Sequence, residues 1–494
     1  MSRDKKVIII GAGLGGISAA ISLATEGFEV ELYEKNDKIG GKLNILKKNG
    51  FSFDLGPSIS TLPHIFEGLF TKAGRRMDDY LELEEIKLQW RSFFEDGTMI
   101  DLYADIEKNL AQNSNLNKED IRELDKFLVY SKKLSDLATK GYFDQGIDSF
   151  REVITCYGLF NAIIKFDFFS TMHQGVSRYL SNKYLQQIMD FFIKYVGSSP
   201  YNAPAVLNLL PNIQMEYGLW YVKGGMYNLA KGLERLLKEL GVKIYLNTEV
   251  REVVKEGDEL IAIRLADDSL VKSDIFISNM EVIPAYKELL AEEDGLVDKY
   301  EKKFEPACSG LVLHLGLDCE YEELAHHNFF FSKDPKDHFN SVFNKYELPK
   351  DPTIYLVASS KTDKSQAPKG CENIKVLPHI PYLQDQAFTY EDYLELKELV
   401  LDKLERMGLK DLREHIVVED MWTPEDIKTR YYSNRGSIYG VVADRKKNKG
   451  FKAPKHSELY RNLYFVGGSV NPGGGMPMVT LSGQQVRDKI IKEY

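Results

Sequence analysis

Three clusters of residues in this chain have the types and spacing to hold a reactive group. The first is Gly11-Ala12-Gly13-Leu14-Gly15-Gly16, directly after the apolar run Val7-Ile8-Ile9-Ile10. Eighteen residues beyond its last glycine, Glu34 closes a second run, Val30-Glu31-Leu32-Tyr33. Glycines so spaced between a strand and a helix make a dinucleotide clamp. Gly11 permits the tight turn, Gly13 lets the backbone approach a pyrophosphate, and Gly16 allows close packing of a helix over residues 17–24 whose N-terminus faces the phosphates. Glu34 would take the ribose hydroxyls. The second cluster is Gly40-Gly41-Lys42, six to eight residues past Glu34. The third is Gly467-Gly468 with Gly473-Gly474-Gly475-Met476-Pro477-Met478-Val479, which opens the last helix and turns its positive end toward negative charge. Taken singly, Gly40-Gly41-Lys42 reads as an ordinary turn and the last glycine run as a plain loop. Their co-occurrence with the first clamp gives them weight.

The first two clusters and the third lie more than four hundred residues apart, so the elements that position them come from distant parts of the chain. A chain of 494 residues suggests two domains, or one large domain with an inserted one. Residues 1–66 read as the first part of the clamp domain, ending in a short strand pair and the turn Gly56-Pro57-Ser58. Residues 67–217 lack glycine motifs and carry helical spacing over 121–137, 150–169 and 183–194. The first domain resumes over 218–300, where Gly224-Gly225-Met226 precedes an amphipathic helix and a strand reaching Val250. A hairpin meander then turns at Glu256-Gly257-Asp258 and Asp267-Asp268. Residues 301–460 form a second inserted block, and 461–494 close the first domain.

Composition narrows the function classes. With 64 Lys and Arg against 74 Asp and Glu, the net charge is -10, which disfavours a nucleic-acid partner. The four cysteines, Cys156, Cys308, Cys319 and Cys371, have no CxxC spacing, so neither a zinc site nor a disulfide framework is expected. No metal is expected at all. The N-terminus runs straight into the first strand, leaving no room for a signal peptide. Two uncharged stretches, 195–215 and 462–486, reach membrane-spanning length, but proline breaks the first and glycine fills the second. A cytoplasmic chain, soluble or peripheral at the inner face of the cell membrane, is the expectation.

With these pieces placed, the sequence resembles the bacterial phytoene-desaturase-like carotenoid flavoproteins over essentially its whole length, and within them the C30 carotenoid oxygenase branch. The broad family's marks are Gly11 to Gly16 with Gly40-Gly41-Lys42 and the closing run Gly467 to Met478; Trp90-Arg91-Ser92-Phe93-Phe94, residues 192–199, 325–331 and 433–451 carry the branch. The resemblance implies an α/β fold: a two-dinucleotide-binding, Rossmann-type FAD domain, discontinuous in sequence, with an inserted α+β substrate domain and a helical membrane-contact region. It implies FAD, held by Gly11, Gly13, Gly15, Gly16, Glu34, Lys35, Gly41, Lys42, Gly56, Pro57, Ser58, Val250, Gly467, Gly468, Pro477, Met478 and Val479. One departure bears on chemistry: desaturases of the family typically read His-Pro-Gly where this chain has Asn471-Pro472-Gly473, so a titratable imidazole near the flavin is missing. Asn471 is the catalytic candidate on this ground, although it reads equally as a turn cap.

The implied reaction oxidises the terminal methyl group of a linear C30 carotenoid, of the 4,4'-diaponeurosporene type, to an aldehyde. Flavin suits it, since the conjugated chain delocalises charge left by hydride loss. No Ser/His/Asp or Cys/His arrangement and no metal-oxygenase motif stands in the sequence. Desaturation of a C30 or C40 carotenoid, and a non-catalytic lipid escort on the same fold, stay open as alternatives. A polyene needs an apolar tunnel, for which Trp220 and Tyr221 are the leading wall residues because they precede Gly224-Gly225. His326 and His327 read as polar contacts at a substrate end or as a surface pair. For contact with the bilayer that holds such a substrate, residues 157–169 offer an apolar surface, and Arg445, Lys446, Lys447, Lys449, Lys452 and Lys455 a basic patch. Self-association into a homo-oligomer is left open.

Overall fold

A computed structural model describes residues 5–159, 164–292, 294–386 and 388–494. Its first sheet is all parallel, in the order Leu463–Phe465, Ile275–Ser278, Lys6–Ile10, Glu29–Tyr33, Lys243–Tyr245. Val7, Ile8 and Ile9 are completely buried, as a strand covered on both faces must be. Five strands from three stretches of sequence thus make one sheet, and the two ends of the chain meet in it.

The helix Leu14–Ala24 follows the central strand, and the C-terminal helix Met476–Glu493 lies against it. Small residues allow this contact: a Cβ on Gly483 would lie 2.5 Å from the Ala19 nitrogen and 2.7 Å from the Gly15 oxygen. The antiparallel meander Val250–Glu256, Glu259–Leu265 and Leu270–Lys272 covers one side.

The second sheet has the order Ile416–Trp422, Val312–Leu317, Glu372–Ile380, Ile354–Val357, His327–Phe330, Leu88–Phe93, Met99–Tyr103. Helical spacing in residues 67–217 gave no sign of its last two strands. Leu88–Phe93 pairs in parallel with His327–Phe330, placing Asn328 opposite Arg91. The two inserted blocks therefore share one sheet. Elsewhere the first block is helical, with Lys118–Ala138 and Lys183–Phe191, while the helix starting at Phe150 stops at Tyr157 before Gly158. Among the described residues no helix is long and apolar enough to cross a membrane.

Candidate functional site

A cavity of about 560 Å³ runs between the two sheets and touches all three glycine clusters. At one end Gly11 adopts φ +94°, open to glycine and costly to other residues, and turns the chain from strand into helix. The helix begins at Leu14 with Gly13 as its N-cap, so helical geometry leaves the N–H groups of Leu14 and Gly15 without intrahelical partners. Gly40 donates its N–H to the Ala12 carbonyl (2.7 Å), and a Cβ on Gly41 would lie 3.1 Å from the Gly13 Cα. The second cluster is thus folded directly onto the first.

Glu34 is buried and fixed. Its Oε2 accepts from the Ala12 N–H (2.8 Å), and its Oε1 accepts from the Asn36 backbone N–H (2.9 Å) and side-chain Nδ2 (2.8 Å). A carboxylate offers about four acceptor sites, so these three bonds leave one for a ribose hydroxyl. Lys42 spans toward the far block, donating to the Ser437 carbonyl (3.0 Å) and facing Glu281 at 3.4 Å. At the other end the C-terminal helix starts at Met476, with Pro477 in its first turn, and presents its N-terminus to the cavity. Orphan N–H groups at two helix ends, a backbone cradle without side chains and a poised carboxylate match the donor set that a dinucleotide flavin needs.

All of the cofactor set implied by the sequence lines this cavity except Gly15 and Gly16. Those two lie behind it: a Cβ on Gly16 would sit 2.2 Å from the Gly11 oxygen, and one on Gly15 would sit 2.9 Å from the Gly467 nitrogen. Their place is helix-to-strand packing. Asn279, not singled out as a site residue in the sequence, lines the cavity and accepts the Gly16 N–H at 3.1 Å.

Asn471 does not line the cavity and is 1% exposed. Its Oδ1 accepts from the Tyr142 hydroxyl (2.5 Å) and the Lys452 N–H (2.9 Å), while its Nδ2 donates to the Asp148 and Lys452 carbonyls, both at 3.2 Å. Every polar atom is spoken for, which fits the turn-cap reading of Asn471 and leaves no group directed at the cavity. Trp220 and Tyr221 are also off the lining. Their strand, Trp220–Val222, pairs with Leu83–Glu85, Trp220 donates to the Tyr217 carbonyl, and Tyr221 is buried against His326. The histidine pair is buried rather than on the surface, and burial lowers both pKa values, to about 3 for His326.

Beyond the clamp the cavity is walled by Leu207, Leu209, Leu210, Ile213, Phe143 and Phe166 and floored by one face of the second sheet. Side chains alternate along strands, and Trp422, Val312, Leu377, Lys375 and Tyr355 share that floor. Lys375 donates to the Gly56 carbonyl (2.5 Å) and the Ser58 hydroxyl (2.5 Å), tying the Gly56-Pro57-Ser58 turn to the sheet. Burial lowers its pKa to about 8, with Asp54 pulling it back up; burial raises Asp54 to about 6, with Lys375 opposing. Since folded Lys375 titrates below its unfolded value, the unfolded chain binds the extra proton between about pH 8 and the ordinary lysine range. Stability conferred through this group therefore rises with pH across that interval. Lys375→Met is expected to flatten the rise, as read from unfolding midpoints on either side of it.

A single group of potential metal ligands was found among the described residues, Asp318, Cys319 and His415, whose ligand atoms lie within 4.8 Å of one another. None lines the cavity, and His415 Nδ1 is already 2.8 Å from Asp318 Oδ1.

The family model described as flavin containing amine oxidoreductase matches residues 14–491. The chain is 58% identical over 491 residues to a 4,4'-diapolycopene oxygenase of a Methylomonas species, with 99% of each chain covered. It is 55% identical over 486 residues to the 4,4'-diaponeurosporene oxygenase of Staphylococcus aureus (strain USA300), with 98% of each covered. Among solved structures, putrescine oxidase bound to putrescine superposes with a TM-score of 0.66 at 14% identity over 100% of both chains, a likeness of fold alone.

Proposed function

The chain belongs to the flavin containing amine oxidoreductase family, and from that premise we propose that it is an FAD-dependent oxygenase of linear C30 carotenoids, converting a terminal methyl group to an aldehyde. The observation that carries this reading is the full-length identity of 55% and 58% to two C30 carotenoid oxygenases. The cavity supports it, since a clamp for a dinucleotide opens into a bore whose far walls are aliphatic and aromatic, as an apolar rod requires.

FAD, when bound, supplies a two-electron acceptor. Gly11, Gly13 and the N-terminus of Leu14–Ala24 would hold its pyrophosphate, Glu34 its ribose, and the Gly56-Pro57-Ser58 turn with residues 467–479 its ring system. The chain's own residues do the rest. Lys375 fixes the turn and presents a positive charge beside it, and the helix end at Met476 adds a second positive dipole. The apolar walls exclude water from the bore. Among the described residues no imidazole lines the cavity, so orientation rather than side-chain acid–base exchange is the protein's main contribution. Incubating FAD-loaded protein with 4,4'-diaponeurosporene under labelled dioxygen or labelled water tests the assignment. A carbonyl product is expected; extra conjugation without a carbonyl would make the chain a desaturase, and failure of the purified protein to load FAD at all would revive the lipid escort.

The reading includes peripheral membrane contact at the mouth of the bore. Phe166 and Phe168 line the cavity, and the flanking Leu159, Ile164 and Phe169 are 56%, 57% and 70% exposed. Residues 160–163 of the apolar segment lie outside the described residues. Lys446, Lys447 and Lys449 are exposed, with Lys449 Nζ over the Phe150 ring at 5.2 Å. Lys452 and Lys455 do not belong to a basic surface patch: both are buried, Lys452 bonded to the Val441 carbonyl and Lys455 paired with Asp148. The double variant Ile164→Asp/Phe169→Asp is expected to bind anionic vesicles at least about tenfold more weakly, because each apolar side chain withdrawn forfeits on the order of 1.5 kcal/mol. Flavin content should not change, and undiminished co-sedimentation with vesicles would move the contact elsewhere.

A further inference from the structure

Among the described residues six lysines line the cavity: Lys35, Lys42, Lys194, Lys375, Lys449 and Lys452. Lys35, Lys42, Lys375 and Lys452 each donate to a backbone carbonyl, and Lys449 is exposed. Lys194 is different. It is 4% exposed, and among the described residues its Nζ has neither a hydrogen bond nor an ion pair. It sits in the short turn Phe192–Tyr195 after the helix Lys183–Phe191. Its Nζ lies over four rings: Tyr195 at 4.1 Å, Tyr355 at 4.6 Å, Trp90 at 4.9 Å and Phe329 at 5.3 Å.

The ring faces attract a cation, by roughly 0.5–2 kcal/mol each. Burial without a counter-ion works the other way, reinforced by the nearby Lys375 charge, and pushes the pKa of Lys194 well below the usual lysine range. The cavity thus encloses, within aromatic walls, an amine that no hydrogen bond or counter-ion engages, in surroundings that favour its neutral form and a free lone pair. Such an amine is a nucleophile toward carbonyl carbon.

We propose that Lys194 Nζ is a covalent capture site for aldehyde-ended polyenes, among them the product of the reaction assigned above. The amine lone pair forms the C–N bond at the aldehyde carbon. The carbonyl oxygen leaves as water, carrying both amine hydrogens, and a C=N double bond remains. No oxidant or reductant is consumed, and returning water reverses the step. The aldehyde's origin rests on the oxygenase reading, whereas the capture chemistry depends only on Lys194 and its surroundings.

The test uses full-length, FAD-loaded protein with all-trans-retinal as the probe aldehyde and sodium cyanoborohydride to reduce any imine, followed by peptide mass mapping. The reduced adduct is expected on the peptide containing Lys194, and its loss is expected in Lys194→Met, which keeps the length and apolar stem of the side chain but has no amine. Mapping the wild-type adduct locates it even where the variant folds poorly. An adduct confined to surface lysines or to Lys375, or no adduct, overturns the proposal. A second arm turns over 4,4'-diaponeurosporene with the reductant present. An aldehyde product that leaves Lys194 unmodified sinks the capture and leaves the oxygenase standing. A retinal adduct on Lys194 in a protein that makes no carbonyl product does the reverse.

Discussion

Gly13→Val is expected to yield a folded protein that purifies without flavin. Gly13 has φ −73° and ψ 173°, so its backbone accepts a side chain without strain. An added Cβ would meet the Asn279 Nδ2 at 2.5 Å, the end of a side chain that can turn aside at the cost of its one bond to the Gly16 N–H. The remainder of a valine then occupies the cavity over the N–H groups of Leu14 and Gly15. Two hydrogen bonds to a charged group are worth about 1.5–3 kcal/mol each, so blocking both weakens flavin binding by roughly 10²- to 10⁴-fold. Flavin absorbance per protein after desalting measures this, and stoichiometric flavin in the variant would show the clamp to be misassigned. Gly16→Val is the contrasting control. Its Cβ would lie 2.2 Å from a backbone oxygen, so it should lower the melting temperature rather than empty a folded protein.

The difference between these two glycines explains what could be read from the chain. A glycine demanded by local sterics announces itself at short range: Gly11 turns a strand into a helix, and Gly467 and Gly475 take φ +106° and +94° at the far end of the chain. Both edges of the cavity were therefore legible, and the family resemblance supplied the flavin. The substrate end was not. Tyr355 and Lys375 meet only through the register of a sheet that joins residues 88–103 to 309–422, Lys194 comes to Tyr355 from the turn Phe192–Tyr195, and helical spacing over the first block conceals two of the sheet's strands. Trp220 and Tyr221 stand just before Gly224-Gly225 in the sequence, but a short strand pairing with Leu83–Glu85 keeps them off the cavity wall. The fate of Lys452 and Lys455 has the same cause. Six basic residues within eleven positions look like a solvated patch, because the partner of Lys455, Asp148, lies 307 residues away.

That distant pair carries the second large effect. Asp148→Ala is expected to cost about 3–5 kcal/mol, because it removes one partner of a buried ion pair and leaves the other charge behind. Lys455 has no side-chain exposure and would retain only the Gly146 carbonyl at 3.1 Å and the Asn471 carbonyl at 3.4 Å. Asp148 also faces Lys489 at 3.1 Å, but that lysine is 33% exposed, so Lys489→Met should cost within about 1 kcal/mol. Two further measurements separate a buried charge from simple loss of packing. Burial already lowers the Lys455 pKa, and without Asp148 it should fall further. The unfolded state then binds the extra proton, so the deficit of Asp148→Ala should shrink as pH rises toward the ordinary lysine range. Asp148→Ala/Lys455→Met should recover part of the lost stability by removing the stranded ammonium, as read from urea midpoints. A double variant less stable than Asp148→Ala alone, with a deficit indifferent to pH, would mean that the carboxylate acts by packing. Ile147 and Phe150 flank this aspartate and line the bore, so the same variant should loosen its wall and lower selectivity for carotenoid length, even where flavin remains bound.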